Sequence, residues 1–333
     1  MRAWVVEGPA PIDEHPLRLV DRDQPEPGPH QVRVRISCCG VCRTDLHLAE
    51  GDLPPRRPRV VPGHEVVGTV EALGPQASRF GLGDRVGVPW LGGTDGTCRF
   101  CRDGHENLCL APTFTGWDVD GGYADACVAH EAFVLRLPDG ITDEQAAPLL
   151  CAGIIGYRAL RLADVPPGGR LGIYGFGGSA HLTAQLAVKL GMRVHVFTRG
   201  EPHRKLAAEL GADSVGGPAD PSPEPLDGAI LFAPAGDLVP VALRALDRGG
   251  SLAVAGIWLS DIPVLHYTDE LFLERQLRSV TANTRRDATE FLRLAERTGI
   301  RARTVSYPLE QADRALADLA AGRYAGAAVL DTT

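Results

Sequence analysis

At 333 residues, with 44% apolar and 23% charged residues, the chain is long enough for two domains, and its composition excludes wholesale disorder. Lys and Arg number 34 against 42 Asp and Glu, a formal net charge of −8 without a basic tract, so we expect neither nucleic acid nor a membrane as partner. No apolar run reaches the roughly 18–20 residues of a transmembrane helix, and an acid and two helix breakers come too early for a signal peptide. We therefore expect a cytoplasmic protein.

Short strands separated by turns are predicted for the first 150 residues or so. Apolar residues alternate at 31–36, and shorter apolar segments occupy 66–74 and 84–89. Glycine and proline, at 39 and 26 residues, make up about 20% of the chain where about 12% is average. This half is expected to form a loop-rich antiparallel barrel.

Strands and helices alternate after Cys151. Alternation of this kind predicts a doubly wound parallel sheet, so the fold class is α/β. The C-terminal part adds two amphipathic leucine-rich stretches, at 290–297 and 311–321, and a last strand at 327–330. The alternating part comprises strands at 171–174, 194–197, 229–232 and 252–255 and helices at 180–190, 202–210 and 238–246.

A glycine-rich turn follows the first of these strands and opens the first helix. It matches the pattern G-x-G-x-x-G/A, in which glycines let the backbone approach a pyrophosphate while the helix N-terminus supplies free N–H groups. The turn is therefore predicted to bind a dinucleotide. Its residues are Gly175, Phe176, Gly177, Gly178, Ser179 and Ala180.

The end of the second strand bears on which dinucleotide is bound. An NAD site usually has a carboxylate there for the ribose 2′-hydroxyl, but this strand ends in Thr198-Arg199, with Arg204 close behind. Arg199 and Arg204 are candidate partners of a 2′-phosphate, so NADP(H) is favoured over NAD(H). The alternative is that these basic residues form only a solvated helix face.

Three cysteines on a glycine-rich loop have the spacing of a zinc site. They are Cys98, Cys101 and Cys109, and structural zinc needs a fourth ligand for its tetrahedral coordination. Asp95 stands three residues before Cys98 and is the predicted fourth ligand. The alternative is that Asp95 is a turn residue and that this lobe binds no metal.

A second candidate set is dispersed along the chain. It consists of Cys42, His64 and Cys151, which spacing alone does not unite. Two cysteines and one histidine do make a three-ligand zinc site with an open fourth position, which is what catalysis requires.

Together these motifs resemble the zinc-dependent medium-chain dehydrogenase/reductase family, the zinc alcohol dehydrogenases. The resemblance implies a GroES-like β-barrel catalytic domain at 1–151 with both zinc sites, a Rossmann-type cofactor domain at 152–282, and a C-terminal return to the catalytic domain at 283–333. It also implies about two zinc ions per chain. The motifs that carry it, in family order, are Gly40-Val41-Cys42-Arg43-Thr44-Asp45-Leu46-His47, Pro62-Gly63-His64-Glu65, the cysteine lobe, Cys151-Ala152-Gly153 and Gly175-Phe176-Gly177-Gly178.

The resemblance also implies roles for residues around the catalytic zinc, whose ligands would be Cys42, His64 and Cys151. Thr44 and His47 match the proton relay of the family. Asp45 would orient His64, and Glu65 would be a nearby acid.

Two further pairs of residues acquire roles through the resemblance. Arg43 and Arg285 match positions that reach cofactor phosphates. Trp90 and Trp117 stand where the family lines its substrate pocket, although plain core packing is the alternative for both.

The expected activity is zinc-dependent hydride transfer between an alcohol and NAD(P)⁺, with the reverse reduction of an aldehyde or ketone. The expected partners are a small-molecule alcohol or aldehyde and further copies of the chain, as a homodimer or homotetramer. Three alternatives stay open: a zinc-independent quinone or enoyl reductase of the same fold, a non-catalytic NADPH-binding relative, and a zinc-ribbon nucleic-acid binder, which the negative charge opposes.

Overall fold

The structure, a computed structural model, describes residues 1–332. Its contacts divide the chain into two compact units. The first contains Met1–Cys151, Ala282–Glu296 and the segment from Ala302 onward, and the second contains Ala152–Thr281 and Arg297–Arg301.

The strands are short, as the abundance of glycine and proline predicts. In chain order they are β1 (Arg2–Val6), β2 (Leu17–Asp21), β3 (Gln31–Val41), β4 (Val66–Leu73), β5 (Arg85–Val88), β6 (Leu91–Gly93), β7 (Thr113–Phe114), β8 (Ala126–His130), β9 (Leu135–Arg136), β10 (Arg170–Tyr174), β11 (Arg193–Phe197), β12 (Ser214–Gly216), β13 (Leu226–Leu231), β14 (Leu246–Val254), β15 (Gln276–Ser279), β16 (Thr304–Pro308) and β17 (Ala327–Asp331).

The longer helices follow Cys151. The α-helices are α1 (Arg43–Glu50), α2 (Arg99–Arg102), α3 (Asp143–Ala146), α4 (Ala152–Ala163), α5 (Gly178–Lys189), α6 (Glu201–Glu209), α7 (Leu238–Ala245), α8 (Tyr267–Glu270), α9 (Arg285–Thr298) and α10 (Ala312–Ala320). Short 3-10 turns occupy Ile12–Glu14, Glu106–Leu108, Ala147–Leu150 and Leu309–Gln311.

The largest sheet of the first unit has the order β16-β17-β3-β4-β5-β9, with β8 also paired to β3. All its pairings are antiparallel except that of β16 with β17. The predicted strands at 31–36, 66–74 and 84–89 are confirmed as β3, β4 and β5. β3 is longer than predicted because it continues to Val41, with two register shifts against β4.

The sheet of the second unit confirms the predicted doubly wound α/β fold. Six strands run in the order β12-β11-β10-β13-β14-β15, and all neighbours are parallel. Neither β12 nor β15 was predicted. These strands carry the sequences Ser-Val-Gly and Gln-Leu-Arg-Ser at the two edges of the sheet, too short and polar for an apolar pattern.

Each unit has its own apolar core. In the first unit β3, β4 and β5 turn Val34, Ile36, Val66 and Val86 inward, and each is at most 3% exposed. In the second unit the core collects buried leucines of β13, α7 and β14. No single helix among residues 1–332 is long and apolar enough to cross a membrane. One bent pair, Asp143–Leu150 together with α4, has the length and composition of a membrane span, and nothing beyond those two criteria supports one.

Two candidate metal centres and a candidate dinucleotide site

The first candidate metal centre forms around the junction of β3 and α1. Cys42 is the N-cap residue of α1, His64 lies just before β4, and Cys151 follows the 3-10 turn Ala147–Leu150. One potential ligand atom from each of these residues and from Glu65 lies within 4.8 Å of all the others. The structure thus brings together three residues that are up to 109 positions apart.

Glycine at position 40 makes room for the Glu65 carboxylate. A Cβ atom there would lie 1.7 Å from Glu65 Oε2, far inside van der Waals contact. Glu65 is 2% exposed, so its carboxylate is held beside the two thiols and the imidazole.

Asp45 positions two of the candidate ligands through hydrogen bonds to its carboxylate. Its Oδ1 accepts hydrogen bonds from His64 Nδ1 and the backbone N–H of Gly63, each at 3.0 Å. Its Oδ2 accepts the backbone N–H of Cys42 at 3.0 Å and the hydroxyl of Tyr123 at 3.2 Å. With Asp45 only 2% exposed, these four contacts fix two of the candidate ligands relative to one another.

The remaining nitrogen of His64 fits a metal ligand. Because Asp45 holds Nδ1, the other nitrogen is Nε2, which is buried and has no hydrogen-bond partner among the described residues. An unpaired buried nitrogen is costly unless it binds something, and a metal ion would satisfy it. Two thiols and one imidazole are the donors that zinc prefers.

Hydrogen bonds and neighbouring charges shift the pKa values of the candidate ligands, lowering that of Cys42 and raising those of His64 and Cys151. A hydrogen bond from Cys151 lowers the pKa of the Cys42 thiol well below its usual range, against the opposing effect of burial. Burial favours a neutral His64, but the charge of Asp45 and its hydrogen bond raise the pKa of His64 well above its ordinary value. Metal binding at His64 requires an unprotonated Nε2, so a metal ion there would take the place of the proton that the raised pKa favours.

The predicted relay residues lie on one helix. Thr44 and His47 both belong to α1, with Thr44 Oγ1 3.7 Å from Cys42 Sγ. His47 is hydrogen-bonded through Nδ1 to Asp52 at 2.9 Å, and 13% of its side chain is exposed against 49% for Asp52. Thr44 is buried, whereas His47 and its partner Asp52 are partly exposed to solvent.

An aromatic stack adjoins the candidate centre. Trp90 meets His64 edge to face at 4.8 Å and stacks on Phe114 at 4.9 Å and on Trp117 at 5.9 Å. The guanidinium of Arg56 lies 3.6 Å above the Trp117 ring, and the Trp117 indole donates to the carbonyl of Pro54 at 2.9 Å. Trp90 therefore touches the candidate ligand directly, whereas Trp117 is fixed by the loop around Arg56.

The second candidate metal centre is the cysteine lobe. Ligand atoms of Asp95, Cys98, Cys101 and Cys109 all lie within 4.8 Å of one another. Asp95 Oδ1 accepts the backbone N–H groups of Thr97 and Cys98, which lower the pKa of this carboxyl well below its usual range. Asp95 is thus a charged, pre-oriented oxygen donor with the three thiols, a set that fits zinc.

The glycine turn lies where the dinucleotide pattern requires it. It joins β10 to α5, with Gly177 as the N-cap of the helix. Gly175 has φ +86°, and a Cβ atom there would lie 2.8 Å from the backbone nitrogen of Ala233. A Cβ at Gly177 would meet nothing within 4 Å, so the space in front of the helix N-terminus is open to a phosphate group.

Two arginines lie at or just after the end of β11, and they differ in their surroundings. Thr198 is buried, and its backbone N–H donates to Gly216 O at 2.9 Å, whereas Arg199 is exposed. Arg204 lies 3.3 Å from Glu201, the first residue of α6, so its guanidinium is shared with a carboxylate. Of the two basic candidates, Arg204 is paired with a carboxylate and Arg199 is exposed; 2′-phosphate binding by either stays a prediction.

The two remaining candidate arginines differ in their surroundings. Arg43 is an exposed residue at the start of α1. Arg285 forms a 2.6 Å ion pair with Glu106, so in this structure its guanidinium binds a carboxylate. Phosphate binding by Arg43 and Arg285 stays a prediction.

Sequence reasoning missed several residues of these sites. Tyr123 supports Asp45 from 78 positions away and has no local signal, and Phe114 completes the aromatic stack through a two-residue strand. Asp52 had a usable signal, because an acid just beyond the C-cap glycine of α1 can reach the last turn of that helix. Glu106 lies within the cysteine lobe itself, and its carboxylate accepts hydrogen bonds from the backbone and side chain of Arg285.

The chain is similar to known alcohol dehydrogenases over its full length. Residues 28–139 match the family model described as the alcohol dehydrogenase GroES-like domain. The probable alcohol dehydrogenase AdhA of Mycobacterium tuberculosis is 58% identical over 335 residues, which covers 99% of this chain and 97% of that protein.

Solved structures are also similar to this chain over nearly its full length. CAD from Helicobacter pylori, complexed with NADP(H), matches with a TM-score of 0.90 at 26% identity, covering 99% of this chain and 97% of the other. A cobalt- and zinc-bound thermostable alcohol dehydrogenase from Pyrobaculum aerophilum also gives 0.90, at 25% identity, covering 100% of this chain and 99% of the other.

Proposed function

Because the chain belongs to the zinc alcohol dehydrogenase family of medium-chain dehydrogenases/reductases, we propose that its first candidate centre is the place where an alcohol is oxidised. The chain is an NAD(P)-dependent alcohol dehydrogenase, which transfers hydride between an alcohol and the nicotinamide and also reduces the aldehyde or ketone. The observation that carries the site assignment is the buried, unpartnered Nε2 of His64 beside two thiols.

We assign zinc to both centres. Cys42, His64 and Cys151 would hold the catalytic ion, with Glu65 beside them, and Asp95, Cys98, Cys101 and Cys109 would hold the structural one. The catalytic ion supplies Lewis acidity, which lowers the pKa of an alcohol and polarises a carbonyl. Eight free cysteines suit a reducing compartment, and we therefore propose the cytoplasm.

The protein's own residues then provide positioning and proton transfer. The Thr44 hydroxyl accepts the proton that the alcohol releases and passes it towards His47, which lies closer to solvent. Asp45 keeps His64 in the tautomer that leaves Nε2 free. Trp90, packed against His64, excludes water from the apolar side of the site and takes the carbon chain of the substrate.

The test replaces one ligand. Cys42→Ser should lower kcat for alcohol oxidation about a thousandfold or more, since Lewis-acid catalysis supplies several kcal/mol. Binding of the dinucleotide should persist, because the glycine turn lies elsewhere in the chain. Cys127→Ala, at a buried cysteine outside both clusters, is the matched control and should keep its zinc and its activity. A folded Cys42→Ser variant with wild-type rates would exclude zinc chemistry here.

We further propose NADP(H) as the preferred cofactor, supported by the exposed Arg199 beside a strand end without a carboxylate. A charge-assisted contact to the 2′-phosphate is worth about tenfold in affinity. Arg199→Ala should therefore raise KM for NADPH about tenfold and leave KM for NADH unchanged. Lys189→Ala, at an exposed cation on α5, should change neither. Equal effects of Arg199→Ala on both cofactors would exclude the contact.

We also propose that the chain assembles as a homodimer or homotetramer. Val264 is 85% exposed, and Ile257, Trp258, Ile262, Tyr267 and Phe272 of the same stretch are between 41% and 65% exposed. Several exposed large apolar residues within one short segment of chain are typical of a surface that is covered by a partner. Val264→Asp should shift the mass measured by light scattering towards the monomer, and an unchanged mass would place the interface elsewhere.

A further inference from the structure

One buried hydroxyl of the first unit has no hydrogen-bond partner among residues 1–332. It belongs to Tyr324, which lies between α10 and β17 and packs against the apolar core of this unit. Buried hydroxyl groups are nearly always paired, because an unpaired one loses its hydrogen bonds to water and gains nothing in return. The Tyr324 hydroxyl is therefore expected to find an acceptor in some state of the protein.

The backbone on either side of Tyr324 is held in place. The N–H of Arg323 donates to Asp318 O at 3.0 Å, and the two side chains form an ion pair. Gly326 has φ +106°, and a Cβ atom there would lie 2.1 Å from the carbonyl oxygen of Arg303. The position of Tyr324 is thus set by the surrounding turn and does not depend on its hydroxyl.

This turn lies beside the first candidate metal centre. In the antiparallel pair of β3 and β17, Val41 is opposite Ala328. The residues that precede Ala328 therefore run alongside those that follow Val41, of which the first is the candidate ligand Cys42. The strand register thus brings the turn that carries Tyr324 to the end of β3 where the centre begins.

The charges of the centre act on the Tyr324 hydroxyl. Burial is the main cause that raises the pKa of Tyr324 above its ordinary value, and Tyr307, Cys42 and Glu65 raise it further, against a smaller opposing effect of Arg43. Negative groups nearby disfavour a tyrosinate, so the hydroxyl keeps its proton and can act only as a neutral donor or acceptor.

Glu65 is the strongest acceptor among these neighbours. A carboxylate accepts charge-assisted hydrogen bonds, which are about twice as strong as neutral ones. The Tyr307 hydroxyl already donates to Asp318 at 2.8 Å, and Cys42 Sγ lies 3.7 Å from the Thr44 hydroxyl. In this structure the Glu65 carboxylate lies among the candidate ligands, with one oxygen within 4.8 Å of their donor atoms. There it would compete with a substrate for the fourth position of a metal ion.

We propose that Tyr324 is a positioning residue whose hydroxyl donates to the Glu65 carboxylate and holds it away from the metal ion, which leaves the fourth coordination position to the alcohol. This inference rests on the proposed function, which supplies the metal ion and the alcohol. Glu65 then has two positions, one at the metal ion and one at Tyr324, and only the second permits substrate binding.

The proposal predicts two effects of opposite sign when the hydroxyl is removed. Glu65 would stay at the metal ion as a fourth ligand, so an added ligand would bind more weakly. The metal ion itself would be held as tightly as before or more tightly. A merely structural defect at Tyr324 would loosen the centre and weaken the binding of the metal ion, so the two explanations are distinguishable.

The experiment places cobalt(II) at the first centre, because the visible absorption of this ion changes with its ligands, and then titrates imidazole as the added ligand. Tyr324→Phe should raise the dissociation constant of imidazole about tenfold, the value of one charge-assisted hydrogen bond. Against a competing chelator, this variant should keep its cobalt at least as well as the wild type. Tyr307→Phe is the matched control, since that tyrosine packs against the same core but donates to Asp318, and it should bind imidazole like the wild type.

A second variant and kinetics complete the design. Tyr324→Phe combined with Glu65→Gln should bind imidazole like Glu65→Gln alone, because Tyr324 acts only through that carboxylate. Tyr324→Phe should also raise KM for the alcohol and leave kcat unchanged. Unchanged or tighter imidazole binding in Tyr324→Phe, weaker retention of cobalt, or a further loss in the double variant would overturn the proposal. A wild-type protein that binds no metal ion at this centre would instead overturn the proposed function.

Discussion

Asp45→Asn is the sharpest test of how the first centre is built. Each carboxylate oxygen of Asp45 accepts two hydrogen bonds, so an amide must place its NH₂ group against two donors. In the orientation that loses fewer hydrogen bonds, the NH₂ group takes the place of Oδ2. The Tyr123 hydroxyl can then rotate and accept a hydrogen bond from the NH₂ group, but the backbone N–H of Cys42 is left without an acceptor. One charge-assisted bond of about 1.5–3 kcal/mol is lost, and the others fall to the neutral value of about 0.5–1.5 kcal/mol. The total cost is about 4.5–7.5 kcal/mol of stability.

The same substitution should weaken zinc binding at this centre about 10- to 100-fold, because the carboxylate that raises the basicity of His64 is gone. Titration with a competing chelator measures this, and the zinc of the cysteine lobe serves as an internal reference. Tyr123→Phe is the matched control, since it removes one charge-assisted bond to Asp45 at a cost of about 1.5–3 kcal/mol and leaves the bond between Asp45 and His64 in place. Zinc affinity within twofold of wild type in Asp45→Asn, or an equal loss in Tyr123→Phe, would refute the reasoning.

Three further outcomes are expected. Asp95→Ala should reduce the zinc content from about two ions per chain to about one and lower the melting temperature, whereas Asp95→Cys should keep both ions. Equal zinc content in Asp95→Ala and in the wild type would exclude Asp95 as a ligand. Thr198→Asp should turn cofactor preference towards NADH, as ratios of kcat/KM would show, and a retained preference for NADPH would speak against the assignment. Burial lowers the pKa of His181 to about 4, so the contribution of this residue to stability is present above pH 6.5 and is lost as the pH falls through 4. His181→Leu should therefore flatten the pH dependence of the free energy of unfolding in that window. An unaltered slope would assign the pH dependence to other groups.

Local patterns predicted local structure well. The turn at 175–180 was readable because a strand, a glycine turn and a helix follow one another directly, and the structure has β10 and α5 on either side of it. The cysteine lobe was equally readable, because its four candidate ligands lie within 15 residues of chain. In both cases the geometry that matters is set by neighbours in sequence.

Long-range contacts were beyond the reach of spacing. Nothing near His64 in the sequence shows that Asp45 accepts from its Nδ1, and only the family resemblance joined Cys151 to Cys42 and His64. The pair Glu106 and Arg285 combines two ordinary surface residue types that become significant only when β-sheet and helix packing bring them together. Such contacts depend on the tertiary fold, which no short pattern encodes.

The discontinuity of the first unit has a consequence for synthesis. Every proposed metal ligand lies within residues 1–151, yet β17, the partner of β3 on one side, begins 176 residues after Cys151. At about 5–20 residues per second, a ribosome needs about 10–40 s to reach β17 after Cys151. During that time the thiols are available to zinc while one edge of β3 is unpaired. Zinc that binds early would order the nascent chain around β3 and α1 before β17 is synthesised, so cells short of zinc should accumulate aggregated rather than merely inactive protein.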